Sequence, residues 1–143
     1  MAKITRQQLL DRLHNNWQNY TGRFYLLSPQ AQKAFLVKQG YANLAGLLGH
    51  MIAWWQDATV MVQSIRNNPD FTIQHYNVDA FNARAVEKFG SLDEGEVVGI
   101  YEAQRQVMVD LVNGLTDAEL ESQEINARLY NEIIGHWDEH PLD

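Results

Sequence analysis

From Leu44 onward the apolar side chains fall at Leu47, Leu48, Met51, Trp55, Ala58, Val62 and Ile65. Steps of three and four residues in alternation draw one stripe along an α-helix, here over residues 42–67. A stripe of that length has to be covered by other elements, since a helix buries its apolar face only against a partner. A second stripe, Leu10, Leu13, Trp17, Tyr20 and Phe24, marks a long first helix.

The remaining sequence punctuates itself. Thr5 and Gln8 form a capping box for the first helix. In SPQAQ (28–32) Ser28 is an N-cap and Pro29 the first helical position of a short piece that stops near Gly40. NNP (67–69) ends the second long helix, residues 70–77 form a loop, and 78–89 form a modest amphipathic helix. SLDE (91–94) is a capping box opening a helix to about residue 113, before Gly114. TDAE (116–119) is another box, and the last helix covers 125–139. No stretch alternates with the period of a strand, which excludes parallel-sheet and barrel architectures. Four substantial helices joined by short pieces predict an all-α chain, an up-down four-helix bundle forming one domain over 1–143.

Composition narrows the chemistry. With 143 residues, 45% of them hydrophobic, the chain can bury a globular core. It has no cysteine, so disulfides and thiolate ligands are excluded and any metal must be held by His, Asp or Glu. A net charge of −7, with eleven scattered Lys and Arg, argues against a nucleic-acid partner. No apolar run approaches the roughly 18–20 residues of a membrane span. The opening residues, MAKITRQQ, lack a secretory apolar segment, so the expected location is cytoplasmic and away from the membrane.

Five histidines are candidates for a site: His14, His50, His75, His136 and His140. His75 falls in the expected loop and His14 at the edge of the first stripe, where surface or packing roles suffice. His136 and His140 are four apart in HWDEH (136–140), on one helix face. At about 100° per residue from Ile125, Leu129, Ile133 and Trp137 fall near 40°, 80° and 120°. His136 and His140 come near 20° and 60° on the same count, inside that apolar stripe. A buried imidazole needs a hydrogen-bond partner, a metal or an open cavity. His50 lies on the flank of the second helix, at a seam from which it can reach the last. Three imidazoles would leave coordination positions open on a divalent ion such as zinc, nickel or iron. Pro141 pushes His140 out of the helical region, which loosens its place in that set. Met51, Trp54, Tyr130 and Trp137 are the expected pocket lining. Glu139 is a solvated residue or, if the helix end unwinds, a base or ligand. Asp57 is too far along its helix from His50 to share an ion with it.

Three stretches together resemble a known family. LGHMIAWWQD (48–57), with a His followed four residues on by a Trp, resembles the second-helix motif of DinB-like four-helix bundles. NVDAFNAR (77–84) and IIGHWDEH (133–140) are similar to the connection and last-helix segment of the ClbS/DfsB branch. The resemblance spans about residues 44–140. It implies an up-down bundle with a cavity at one end, a homodimer, and a divalent metal on His50, His136 and His140. It further implies action on a small-molecule substrate, as a hydrolase or thiol transferase in detoxification or resistance. In that branch the Glu-His pair is usually followed by another His four residues later. Aligned that way, His140 is the first of a pair whose second lies beyond Asp143. Either His136 and His140 form the pair, or a ligand and the metal are lost. The alternatives are therefore a metal-free small-molecule-binding bundle, or a bundle whose histidines serve structure alone.

Overall fold

The computed structural model describes residues 3–68, 70–73 and 75–142. Among them every regular element is helical, in the order α1 (Arg6–Asp11), a π-helical stretch (Arg12–Trp17), α2 (Tyr20–Leu26), α3 (Pro29–Gln39) and α4 (Leu44–Asn67). There follow α5 (Val78–Gly90), α6 (Glu94–Gly114), α7 (Asp117–Glu121), α8 (Gln123–Leu129), a second π-helical stretch (Tyr130–Gly135) and α9 (His136–Glu139). No helix among the described residues is long and apolar enough to cross a membrane.

Most boundaries fall where local chemistry put them. Thr5 and Gln8 form the reciprocal capping box, as do Thr116 and Glu119. The Ser28 side chain caps α3 with Pro29 in its first turn, and Gly40 ends it in the left-handed conformation (φ 87°) that glycine adopts without penalty. One cap is displaced. Asp93, not Ser91, accepts from the Glu96 amide at the start of α6. Ser91 closes α5 instead, its hydroxyl donating to the Glu87 carbonyl at 3.2 Å. A carboxylate accepts more strongly and favours the positive end of the helix, so the nearer acid takes the cap. Pro69, expected to end α4, lies outside the described residues.

Helix α4 lies at the centre, with α5 and α6 against it and the α8 segment on another side. Its stripe from Leu44 to Val62 is buried, with Ile65 packed at the margin. The core is rich in aromatic rings meeting edge to face. Trp17 contacts Trp55 and Trp137 at centroid distances of 5.3 Å each, near the perpendicular orientation that ring quadrupoles favour.

The first and last long helices are not uniform α-helices, contrary to the regular periodicity of their sequences. Each contains a π-helical stretch, which widens the turn and changes the partners of its carbonyls. Donors from other helices satisfy the carbonyls there. The Trp17 indole donates to the Ile133 carbonyl at 2.8 Å and the Trp55 indole to that of Glu132 at 2.9 Å. In the first stretch the Tyr101 hydroxyl donates to the Trp17 carbonyl at 2.7 Å. Buried carbonyls must be paired, and these long-range donors make the widened turns tolerable. The second stretch leads directly into His136.

Candidate site: a cluster of three buried histidines

His50 from α4 meets the end of the last helix. Its ring centroid is 5.0 Å from that of His136 and 5.2 Å from that of His140. The His136 and His140 rings are 6.3 Å apart. All three are buried, at 5%, 7% and 8% exposure respectively. His14 and His75 are exposed and distant from this group in role, each offering only surface.

Each ring is held through Nδ1 by an oxygen. His50 Nδ1 lies 3.1 Å from Asn82 Oδ1, on α5. His136 Nδ1 lies 3.0 Å from the Glu132 carbonyl, the same oxygen that accepts from Trp55. His140 Nδ1 lies 2.7 Å from Gln39 Oε1, in the last turn of α3. A carbonyl oxygen can only accept, so with the Asn82 and Gln39 amides in the orientation observed Nδ1 carries the proton and Nε2 keeps its lone pair. Asn82 thus pairs with His50, and His136 turns to the backbone of its own helix.

His140 is firmly placed despite Pro141. Its backbone leaves the helical region (φ −126°, ψ 47°), as a residue before proline does. Its carbonyl nevertheless accepts from the Tyr20 hydroxyl at 2.8 Å, and Leu142 is buried in the core beyond it. The Tyr41 ring packs on both His50 and His140, at 5.7 and 6.1 Å. Gly40 turns the chain between Gln39 and Tyr41, so one left-handed residue directs both onto the cluster.

Electrostatics favour neutral rings. Burial, and secondarily the two neighbouring imidazoles, push His50 down to about 3. Burial pushes His136 down to about 4 and lowers His140 as well. Rings that stay neutral offer a lone pair that protons do not contest at neutral pH. Glu132 shares the pocket wall. Burial raises its carboxyl to about 7 against the pull of Arg128, whose guanidinium donates to it at 3.2 Å and to Asp57 at 2.9 Å.

The donor set fits a metal on one specific observation. His50 Nε2 is fully buried and has no hydrogen-bond partner among the described residues, an expensive arrangement for a bare lone pair. His50, Glu139 and His140 each offer a ligand atom, and these lie within 4.8 Å of one another. Zinc–nitrogen distances of about 2.0–2.1 Å separate tetrahedral ligand atoms by about 3.4 Å, so small side-chain rotations close the set. His136 stands next to this trio rather than within it. Glu139 joins it because the last helix ends at Glu139, releasing its carboxylate toward His140 Nε2 at 3.8 Å.

A pocket of about 250 Å³ opens onto the cluster, lined by His50, His136, Trp54, Asn82, Glu132 and Glu139 together with Val78 and Asn131. A second hollow of about 500 Å³ shares Asn82 with it and is bounded by Gln39 and Tyr41. Of the expected lining residues, Trp54 is in the wall. Met51 and Trp137 are not: both are core side chains, Trp137 packed on Trp17 and Tyr20. Tyr130 is largely exposed and does not line the pocket. The angular count placed Leu129, Ile133, Trp137, His136 and His140 on the buried face, and all five are buried; it did not separate core side chains such as Trp137 from those that open onto the pocket. Asp57 serves Arg128 and Tyr76 and takes no part in the cluster. Gln39, Tyr41 and Glu132 carried no local signal, since each reaches the site only through the tertiary packing.

Comparison of the chain with protein-family models, with curated proteins and with solved structures finds no match in any of the three.

Proposed function

We propose that the chain is a DinB-like four-helix bundle of the ClbS/DfsB type, holding one divalent cation on His50, His140 and Glu139, with His136 at its side. Zinc, nickel and ferrous iron all accept imidazole and carboxylate together. The reading makes the protein a hydrolase or thiol transferase for a small reactive molecule. The carrying observation is the orphaned Nε2 of His50, a buried lone pair beside two further neutral rings.

When bound, such an ion supplies Lewis acidity toward a water or thiol. The chain's own residues do the rest. Trp54 and Val78 give the pocket an apolar wall, while Asn131 and Asn82 offer amides that orient a polar ligand. A volume of about 250 Å³ suits a small molecule.

Titration of metal-free protein with zinc and nickel, followed by calorimetry, tests the reading. One equivalent bound by the wild type and none by His50→Ala is the expected result. Absence of binding at saturating metal would overturn it. In that case a metal-free binding role has its own support, because all three Nδ1 donors are already satisfied within the protein. Thermal stabilisation by small molecules, lost in His50→Ala, identifies that role. A destabilised His50→Ala with no ligand response identifies a structural one.

A further inference from the structure

The three histidines are not fixed with equal security, and the difference lies in what faces each Nδ1. His136 faces a backbone carbonyl, which cannot present anything but an acceptor. His50 and His140 face side-chain amides, Asn82 and Gln39. An amide can rotate by half a turn and present NH₂ in place of oxygen. Facing NH₂, a neutral imidazole would accept at Nδ1 and carry its proton on Nε2, the form that cannot bind a ligand there.

Asn82 is prevented from rotating. The indole nitrogen of Trp54 lies 2.7 Å from the same Asn82 Oδ1 that meets His50 at 3.1 Å. An indole N–H can only donate, so it requires oxygen at that position. Trp54 is itself held, stacked on Phe81 at 4.0 Å and lying under the Arg128 guanidinium at 5.7 Å. His50 and Trp54 are four apart on α4 and Asn82 is next to Phe81 on α5, so two helices close the arrangement. Gln39 makes no comparable second hydrogen bond among the described residues.

We infer that Trp54 is a positioning residue: through the shared oxygen of Asn82 it sets His50 in the tautomer with a free Nε2 before any ligand arrives. His140, whose amide partner is free to rotate, is the adaptable member of the cluster. The consequence for metal affinity rests on the metal-site reading; the tautomer itself does not.

The experiment uses uniformly ¹⁵N-labelled, metal-free protein at pH 7.5, with long-range ¹H–¹⁵N correlation reporting the tautomer of each ring. Wild type should show His50 and His136 protonated on Nδ1. Trp54→Phe keeps the stacking surface but removes the donor, and Asn82→Leu removes the oxygen. Both should shift His50 toward the Nε2-protonated form and leave His136 unchanged. Asn82→Asp, which has an oxygen in either orientation, should restore the wild-type tautomer when combined with Trp54→Phe. Zinc affinity, by competition with a chelating dye, should fall 10- to 100-fold in Trp54→Phe, the range that removal of a ligand's outer partner produces. Wild-type His50 found protonated on Nε2, or unmoved in both single variants, overturns the inference. Tautomers behaving as expected in a wild type that binds no zinc sustain the positioning role and remove the metal reading alone.

Discussion

The Tyr20 hydroxyl donates to the backbone carbonyl of His140 across 2.8 Å within the core, fastening the segment after α9 to α2. Tyr20 is fully buried and packs on Trp137, so the anchor is rigid on both sides. This bond, together with Gln39, answers the loosening effect of Pro141. Tyr20→Phe leaves a buried carbonyl without a donor and should cost about 1–3 kcal/mol in urea denaturation. It should also broaden the His140 ring resonances while leaving those of His136 sharp. Unchanged stability and unchanged His140 signals would show that the segment is held by other contacts.

Acid should weaken the metal-free fold through its histidines. Folded values of about 3 for His50 and about 4 for His136 lie below the ordinary 6.5. Above pH 6.5 both states are neutral and the burial is undisturbed. As pH falls below 6.5 the unfolded chain takes up protons that the folded chain refuses, and stability declines toward the folded values. Glu132 runs the opposite way. Its folded value of about 7 exceeds the ordinary 4.5, so the stability linked to its proton is full below 4.5 and lost as pH rises through 7. Urea midpoints across pH 4–8 separate the two: His50→Gln should flatten the acid decline, and Glu132→Gln should remove the loss toward alkaline pH. A His50→Gln profile parallel to the wild type would exclude a buried neutral His50.

Gly49 and Gly135, each next to a cluster histidine, should respond differently to alanine. A Cβ on Gly49 would stand 2.3 Å from Cβ of Phe89 and 2.8 Å from its Cγ, forcing α5 away from α4. Overpacking of this kind costs about 1–3 kcal/mol, and because α5 carries Asn82 it should also disturb the His50 tautomer. A Cβ on Gly135 meets only the Tyr130 carbonyl, at 3.9 Å. That variant should lie within about 0.5 kcal/mol of wild type. Melting temperatures and zinc affinities of the two proteins check the contrast, which fails if Gly49→Ala is neutral.

The helices were legible because their causes are local. The stripe from Leu44 to Val62, the Thr5 and Thr116 boxes, the Ser28–Pro29 start and the Gly40 stop each depend on residues within a few positions of one another. The misplacement of the α6 cap from Asp93 to Ser91 shows the limit of even that: two acceptors stood close together, and geometry selected between them. His50, His136 and His140 were also singled out from spacing, and the folded chain brings their rings within about 5–6 Å.

By itself, then, the sequence determined an all-helical chain, its punctuation, and which histidines face inward. Tertiary structure alone decided how those rings are held. His140 takes its proton partner from Gln39, 101 positions away, and His50 from Asn82, 32 positions away. The carbonyls of the π-helical stretches are likewise met by donors from Trp17, Trp55 and Tyr101 on other elements, and no periodicity within one helix records that. Hydrogen-bond direction at a distance is a property of packed neighbours, and the oxygen that His50 Nδ1 faces is set by Trp54 and Asn82 standing beside it.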